Sequence, residues 1–140
     1  MKTIHPSSLL KAALLADAVT SGVVALLHLL LNRYLSERLG LDSRLLLYTG
    51  LFLLGYANLL LVLAYTDRIW VPLLRVIIAG NAAWAVGCLL LAFMPGPAML
   101  PLASAFLGMQ ALAVLVFACW EYAGLRVSSG MRPPVAGLQC

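Results

Sequence analysis

The chain has 140 residues, of which 64% are hydrophobic and only 10% are charged, and its mean hydropathy is +1.02. Soluble domains are about half apolar and about a quarter charged, so this composition excludes an ordinary soluble domain and predicts a membrane protein whose first partners are lipids. For the net charge of +4, the distribution of the cations along the chain matters more than their sum, and we expect no nucleic-acid partner.

Four apolar runs are each long enough to cross a membrane, since a helix needs about 20 mostly apolar residues to cross roughly 30 Å of hydrocarbon. They cover residues 9–31, 44–65, 70–94 and 98–122. The second and third connections are short turns, which make consecutive helices neighbours running in opposite directions. The predicted fold is all-α, an integral membrane domain over residues 1–126 built as an antiparallel four-transmembrane-helix bundle.

The segments between and around the runs carry signals of their own. Ser7 and Ser8 precede the first run, and a serine there can cap a helix. Residues 32–44 mix leucines with charges, which favours a short helix in the headgroup layer that ends at Gly40. After it, Asp42 or Ser43 can cap the second run. Residues 127–140 are rich in Ser, Gly and Pro, and we predict a disordered tail there.

The distribution of cations predicts the orientation. Loops on the cytoplasmic side of a membrane carry more Lys and Arg, and a topology with both termini inside places six cations there against three on the other side. The six are Lys2, Lys11, Arg68, Arg75, Arg126 and Arg132, and the three are Arg33, Arg38 and Arg44. We therefore expect a multi-pass protein of the cell inner membrane with cytoplasmic N- and C-termini.

Polar residues interrupt the first run on one side. At 100° per residue, Asp17 and His28 lie only about 20° apart around a helix, and Ser21 lies on the same stripe. Such a stripe faces protein or a water-filled cavity and not lipid. The leucines of the run offset the cost of inserting the aspartate, so Asp17 does not need to be catalytic.

The other runs each contribute an amide at a similar depth. Asn58, Asn81 and Gln110 all fall within roughly 5 Å of the layer of Asp17 at 1.5 Å per residue, which predicts a hydrogen-bonded belt. Two interpretations stay open: modest interhelical adhesion, or a ligand pocket. The candidate pocket residues are Asp17, Ser21, His28, Asn58, Arg75, Asn81, Trp84, Gln110 and Glu121.

The charged members of this set suggest specific pairs. Arg75 lies near the expected depth of Asp17 and could pair with it. Alternatively, Arg75 extends to the headgroups while Asp17 is protonated or bonded to Asn81. For Glu121 we expect an interfacial ion pair with Lys11 or Arg126.

No known catalytic motif is present. The sequence contains no H-E-x-x-H, no phosphate-binding loop and no G-x-S-x-G. His5 and His28 lie at opposite ends of the first run and cannot share a metal, so we expect neither a metal site nor a cofactor. A lone histidine such as His28 is usually hydrogen-bonded, and a proton relay is the alternative.

Three short stretches resemble a group of small bacterial four-span integral membrane proteins without a characterised activity. They are Ala79 to Trp84, Gln110 to Ala113 and Glu121 to Arg126. The resemblance extends over most of residues 9–126. It implies a bacterial inner-membrane location and a four-helix architecture, and it brings no activity with it.

We expect a non-catalytic accessory or partner-binding subunit, in a homo-oligomer or a larger membrane complex. Its contact faces would be rows of small residues, such as Gly80 with Gly87 and Ser104 with Gly108 and Ala111. The alternative is a binder or carrier of a lipid, a quinone or another apolar small molecule in the polar-lined pocket. A membrane-embedded enzyme that uses Asp17 or His28 as its acid or base is a third hypothesis.

Overall fold

The computed structural model describes residues 2–94 and 99–130. This part of the chain is helical apart from one short ladder of two strands. Its elements in chain order are β1 (Thr3–Ile4), α1 (Ser8–Leu30), α2 (Asn32–Leu39), α3 (Ser43–Tyr65), β2 (Ile69–Trp70), α4 (Val71–Phe93) and α5 (Pro101–Gly130).

Four of the five helices are long and apolar enough to cross a membrane, which confirms the predicted all-helical class and the number of long apolar helices. The main difference concerns α5, which continues to Gly130, past the predicted end at residue 122. The predicted disordered tail is therefore wrong for residues 127–130. Residues 131–140 and most of the third turn, residues 95–98, lie outside the described residues.

Local signals in the sequence account for the helix ends. The Ser7 side chain caps α1 by accepting a hydrogen bond of 3.2 Å from the N–H of Leu10. Gly40 ends α2 with a left-handed φ of 67°, which favours glycine. Asp42 caps α3 by accepting from the N–H of Arg44 at 2.6 Å. The predicted end at Gly40 is confirmed, and of the candidate capping residues the structure uses Ser7 and Asp42.

The helices pack unevenly. Helix α1 packs along α3 and α5, and α4 packs along α5. Glycines allow two close approaches, since a Cβ added at Gly124 would lie 2.8 Å from Leu10 Cα, and one at Gly50 would lie 2.9 Å from His28 Cβ. Helices α3 and α4 make few close backbone contacts and are linked by large side chains, such as Phe52 stacked on Trp84 at 5.7 Å.

One end of the helix assembly is closed by an apolar cluster and a strand ladder; we call it the Ser7 end. Strand β1 pairs with β2, and the N–H of Ser7 donates to Ser128 Oγ at 3.0 Å. The ladder was not predicted, because two-residue strands have no readable periodicity. The cluster below it consists of Leu10, Leu14, Ala18, Leu60, Leu63, Ala64, Ile69, Val71, Leu74, Ile77 and Leu125.

The opposite end, which we call the α2 end, is less tightly filled. Leu39 of α2 packs with Leu41, Leu46 and Ala103, and the carbonyl of Leu39 accepts from the N–H of Leu100 at 3.0 Å. Because α3 and α4 have few close contacts, a groove remains between them at this end. The polar side chains between the helices lie from this groove to the middle of the assembly.

Candidate functional site

A buried polar cluster joins the four long helices at mid-height. It consists of Asp17 and Ser21 from α1, Tyr56 from α3, Asn81 from α4 and Glu121 from α5. Asp17 and Glu121 are fully buried, and Ser21 and Asn81 nearly so. A polar contact between all four helices fixes their relative rotation, because each side chain would otherwise lack a hydrogen-bond partner in an apolar interior.

Asn81 is the centre of this cluster. Its Nδ2 donates to Asp17 Oδ2 at 2.8 Å and to Glu121 Oε2 at 3.2 Å, so one amide connects two carboxyls. The Tyr56 hydroxyl lies 3.1 Å from Asp17 Oδ2 and 2.9 Å from Asn81 Oδ1, and its single proton serves one of them at a time. Ser21 Oγ donates to Asp17 Oδ1 at 2.8 Å.

The two carboxyls are close together and without a compensating cation. Because both oxygens lie within 3.2 Å of the same nitrogen, they are at most about 6 Å apart. Two full charges at that separation would repel by roughly 3 kcal/mol at an effective dielectric constant of about 20. In the described part of the chain, no Lys, Arg or His bonds to either carboxyl, and Glu121 Oε1 has no hydrogen-bond partner.

The groove between α3 and α4 at the α2 end has a volume of about 600 Å³. That is within the usual range for a small-molecule site. Its wall is almost entirely apolar, with only a few polar groups. The lining residues are His28, Leu41, Leu45, Leu46, Thr49, Gly80, Ala83, Trp84, Gly87, Cys88, Leu90, Leu91, Phe106, Leu107 and Gln110.

The contacts around His28 favour one tautomer. The Thr49 hydroxyl has one proton, and its Oγ1 lies within hydrogen-bond distance of two backbone carbonyls of its own helix, Leu45 at 2.8 Å and Leu46 at 3.1 Å. We therefore assign Nδ1 as the donor in the contact of 3.0 Å between His28 Nδ1 and Thr49 Oγ1. Nε2 of the neutral ring then carries a lone pair, and this buried atom has no partner among the described residues.

A second, smaller cavity lies between the groove and the polar cluster. It has a volume of about 30 Å³ and is lined by Asp17, Ser21, Trp84 and Gln110, among others. Trp84 and Gln110 also line the groove. The cavity is large enough for a single water molecule. Because Trp84 and Gln110 line both spaces, these two side chains separate the groove from the cavity beside Asp17.

Asn58 does not join the belt. It is exposed, and its Nδ2 donates to the carbonyl of Leu54 in its own helix at 2.8 Å. The expectation that Asn58 faces inward as part of the belt is wrong, because its side chain is exposed. An amide that bonds to its own helix needs no interhelical partner, and the smaller residues of α3, such as Gly50, face α1 instead.

The predicted ion pairs are also absent from the described residues. Arg75 is exposed, and Asp17 is bonded to Asn81, which was the alternative arrangement. Glu121 points into the helix assembly, whereas Arg126 is exposed and donates to the Tyr122 hydroxyl at 3.3 Å. Five residues turn a helix by about 500°, so Glu121 and Arg126 lie on different sides of α5.

Sequence reasoning missed two members of the site, Tyr56 and Thr49. Both hydroxyls belong to α3, for which the only expected inward polar group was Asn58. Tyr56 lies two residues before Asn58, which is about 200° around the helix. The spacing of Phe52 and Tyr56, four residues apart, could have indicated that both rings lie on one side of α3. In the structure the two rings stack at 6.3 Å on the side that faces α4.

A third depression, of about 710 Å³, lies between α4 and α5 toward the Ser7 end. Arg75, Tyr122 and Arg126 are part of its wall. Its two arginines are exposed, which suits the boundary between hydrocarbon and headgroups. In residues 2–94 and 99–130, no three His, Cys, Asp or Glu side chains come together as metal ligands would.

No protein-family model matches this sequence, and no curated protein or solved structure matches it either. The geometry of the site offers a buried pair of carboxyls, an apolar groove with one unsatisfied acceptor, and a small cavity between them.

Proposed function

We propose that the chain is a multi-pass protein of a bacterial inner membrane, an antiparallel four-helix bundle with cytoplasmic termini. The four long apolar helices support this proposal, as does the outer surface, which is apolar to a degree that water would not tolerate. Among the large exposed hydrophobic side chains are Val19, Leu30, Phe52, Val62, Val76, Phe93, Leu102, Met109 and Leu112.

Within that membrane, the groove is proposed to bind an apolar small molecule that ends in an O–H or N–H donor. The observation that carries this proposal is the unpartnered Nε2 of His28, a buried ring nitrogen of a residue that lines an otherwise apolar groove. An unsatisfied buried acceptor costs about 1–3 kcal/mol, and a donor group on a bound molecule would recover part of that cost.

The shape of the groove favours a long apolar body. Leucines and the rings of Trp84 and Phe106 form most of the wall, and Gly80 and Gly87 leave open space, since a Cβ added at either glycine would meet nothing within 4 Å. The loose packing of α3 against α4 gives lateral access from the hydrocarbon. A lipid-soluble alcohol, a quinol or a hydroxylated lipid has the required combination of an apolar body and a hydroxyl donor.

The proposal predicts a specific preference between two probes, farnesol and farnesyl methyl ether, which share the isoprenoid body and differ in the O–H donor. We expect the wild type to bind farnesol about tenfold more tightly than the ether, because one hydrogen bond contributes about 1 kcal/mol or slightly more. Binding is followed in detergent by the fluorescence of Trp84, after Trp70 and Trp120 have been replaced by phenylalanine.

The matched variant is His28→Phe, which keeps an aromatic ring and removes the acceptor. In this variant the two probes should bind with equal affinity. Equal affinity already in the wild type, or an unchanged preference in His28→Phe, would show that Nε2 does not receive the ligand and would contradict the proposal.

The accessory-subunit hypothesis is the second candidate, and one observation favours it. Gly80, Ala83 and Gly87 form a row of small residues along α4 in the groove, and such rows allow a partner helix to pack closely. Native mass spectrometry from a mild detergent separates the two candidates: a bound small molecule supports the first, and a second copy or a protein partner without one supports the second.

A further inference from the structure

We propose that Asp17 and Glu121 together form a proton-binding site in the interior of the protein. This proposal concerns the mid-height cluster and does not depend on which molecule occupies the groove. It assigns to the cluster an activity, reversible proton binding, beyond its role in packing.

The two carboxyls have few hydrogen-bond donors. Ser21, Asn81 and Tyr56 together donate to Asp17 and Glu121, and no donor among the described residues reaches Glu121 Oε1. A proton on this carboxyl would remove a charge that is otherwise buried next to an oxygen without a donor. One proton would also remove one of two like charges that lie at most about 6 Å apart.

In residues 2–94 and 99–130, no charged group other than the two carboxyls themselves bonds to the pair. The groups that face it are Ser21 on α1, Tyr56 on α3 and Asn81 on α4, with Gln110 of α5 across the small cavity. All are neutral, and Ser21, Tyr56 and Asn81 have an O–H or N–H donor within hydrogen-bond distance of a carboxyl oxygen. A proton on one carboxyl would compensate the charge that these neutral groups leave in place.

The surroundings of the two carboxyls differ between the two ends of the helix assembly. On the Ser7 side, the large apolar cluster defined above covers the carboxyls. On the α2 side, the cavity of about 30 Å³ beside Asp17 can hold one water, and Trp84 and Gln110 separate it from the groove. The α2 side therefore has room for one water next to Asp17, whereas the large apolar cluster packs on the Ser7 side.

Infrared spectroscopy of the purified full chain in lipid nanodiscs tests the proposal, because a protonated carboxyl has its own C=O stretching band that shifts in deuterated water. We expect this band in the wild type at neutral pH. We expect its loss in the double variant Asp17→Asn with Glu121→Gln, and its retention in the control Glu37→Gln, which changes an exposed carboxyl on α2.

A neutral-pH spectrum of the wild type without this band would overturn the proposal, and that spectrum needs no variant to fold. A band that survives in the folded double variant would overturn it equally. Replacing sodium by choline in the buffer is expected to change nothing. A band that appears only after sodium is removed would identify a cation site instead.

Discussion

Replacement of Asn81 by leucine is expected to lower the free energy of unfolding by about 3 kcal/mol or more. Leucine has a similar size, so the effect comes from lost hydrogen bonds and not from a cavity. Asn81 donates to both Asp17 and Glu121 and is also within reach of Tyr56. A hydrogen bond to a charged group contributes about 1.5–3 kcal/mol, and its loss leaves buried carboxyl oxygens without a donor.

Asn58→Leu is the matched control, because Asn58 is an exposed asparagine in the middle of α3 that bonds to its own helix. We expect its effect to stay within about 0.5 kcal/mol. Unfolding by sodium dodecyl sulfate in mixed micelles, followed by helical circular dichroism, measures both variants. Similar losses in the two would show that the mid-height cluster does not hold the helices together.

Gly87→Phe is expected to abolish binding of farnesol in the groove, with a loss of at least tenfold in affinity. Gly87 lines the groove, and a Cβ at this position meets nothing within 4 Å, so the phenyl ring can enter the space where the ligand would lie. Because no neighbour is displaced, the fold should tolerate the ring. Fluorescence of Trp84 across the groove reports the loss.

Gly55→Phe is the control for added bulk. Gly55 is also exposed and open, but it does not line the groove. This variant should bind farnesol as the wild type does. If Gly87→Phe bound normally, or if Gly55→Phe lost binding to the same extent, the ligand would have to lie elsewhere on the protein.

Much of the helical architecture could be predicted from the sequence, because long apolar runs and capping residues are local signals. Ser7, Gly40 and Asp42 mark helix ends in the structure as the sequence indicates. The continuation of α5 beyond residue 122 was missed because Ser and Gly were interpreted as signs of disorder. Ser128, however, packs at the Ser7 end through a hydrogen bond to the Ser7 backbone, a contact between residues distant in sequence.

The site was harder to predict, because its members depend on how each helix is rotated. Asp17, Ser21 and His28 could be grouped, since all lie on one stripe of one helix. The sequence does not show which side of α3 faces inward. Asn58 is more polar than Tyr56, but Gly50 packs closely against His28, and this contact turns the side of α3 that carries Gly50 toward α1. Contacts between helices, such as this one, set how each helix is rotated about its axis. The periodicity of a single helix gives no information about them.

The central claim is that Nε2 of His28 is an acceptor that holds a donor-bearing apolar ligand. NMR of the protein with isotopically labelled histidine nitrogens tests this most directly, because the chain has only two histidines, His5 and His28. We predict that Nδ1 of His28 carries the proton, that Nε2 does not, and that farnesol shifts the Nε2 resonance while farnesyl methyl ether does not. A proton on Nε2 in the free protein, or an Nε2 resonance that saturating farnesol leaves unchanged, would contradict the account.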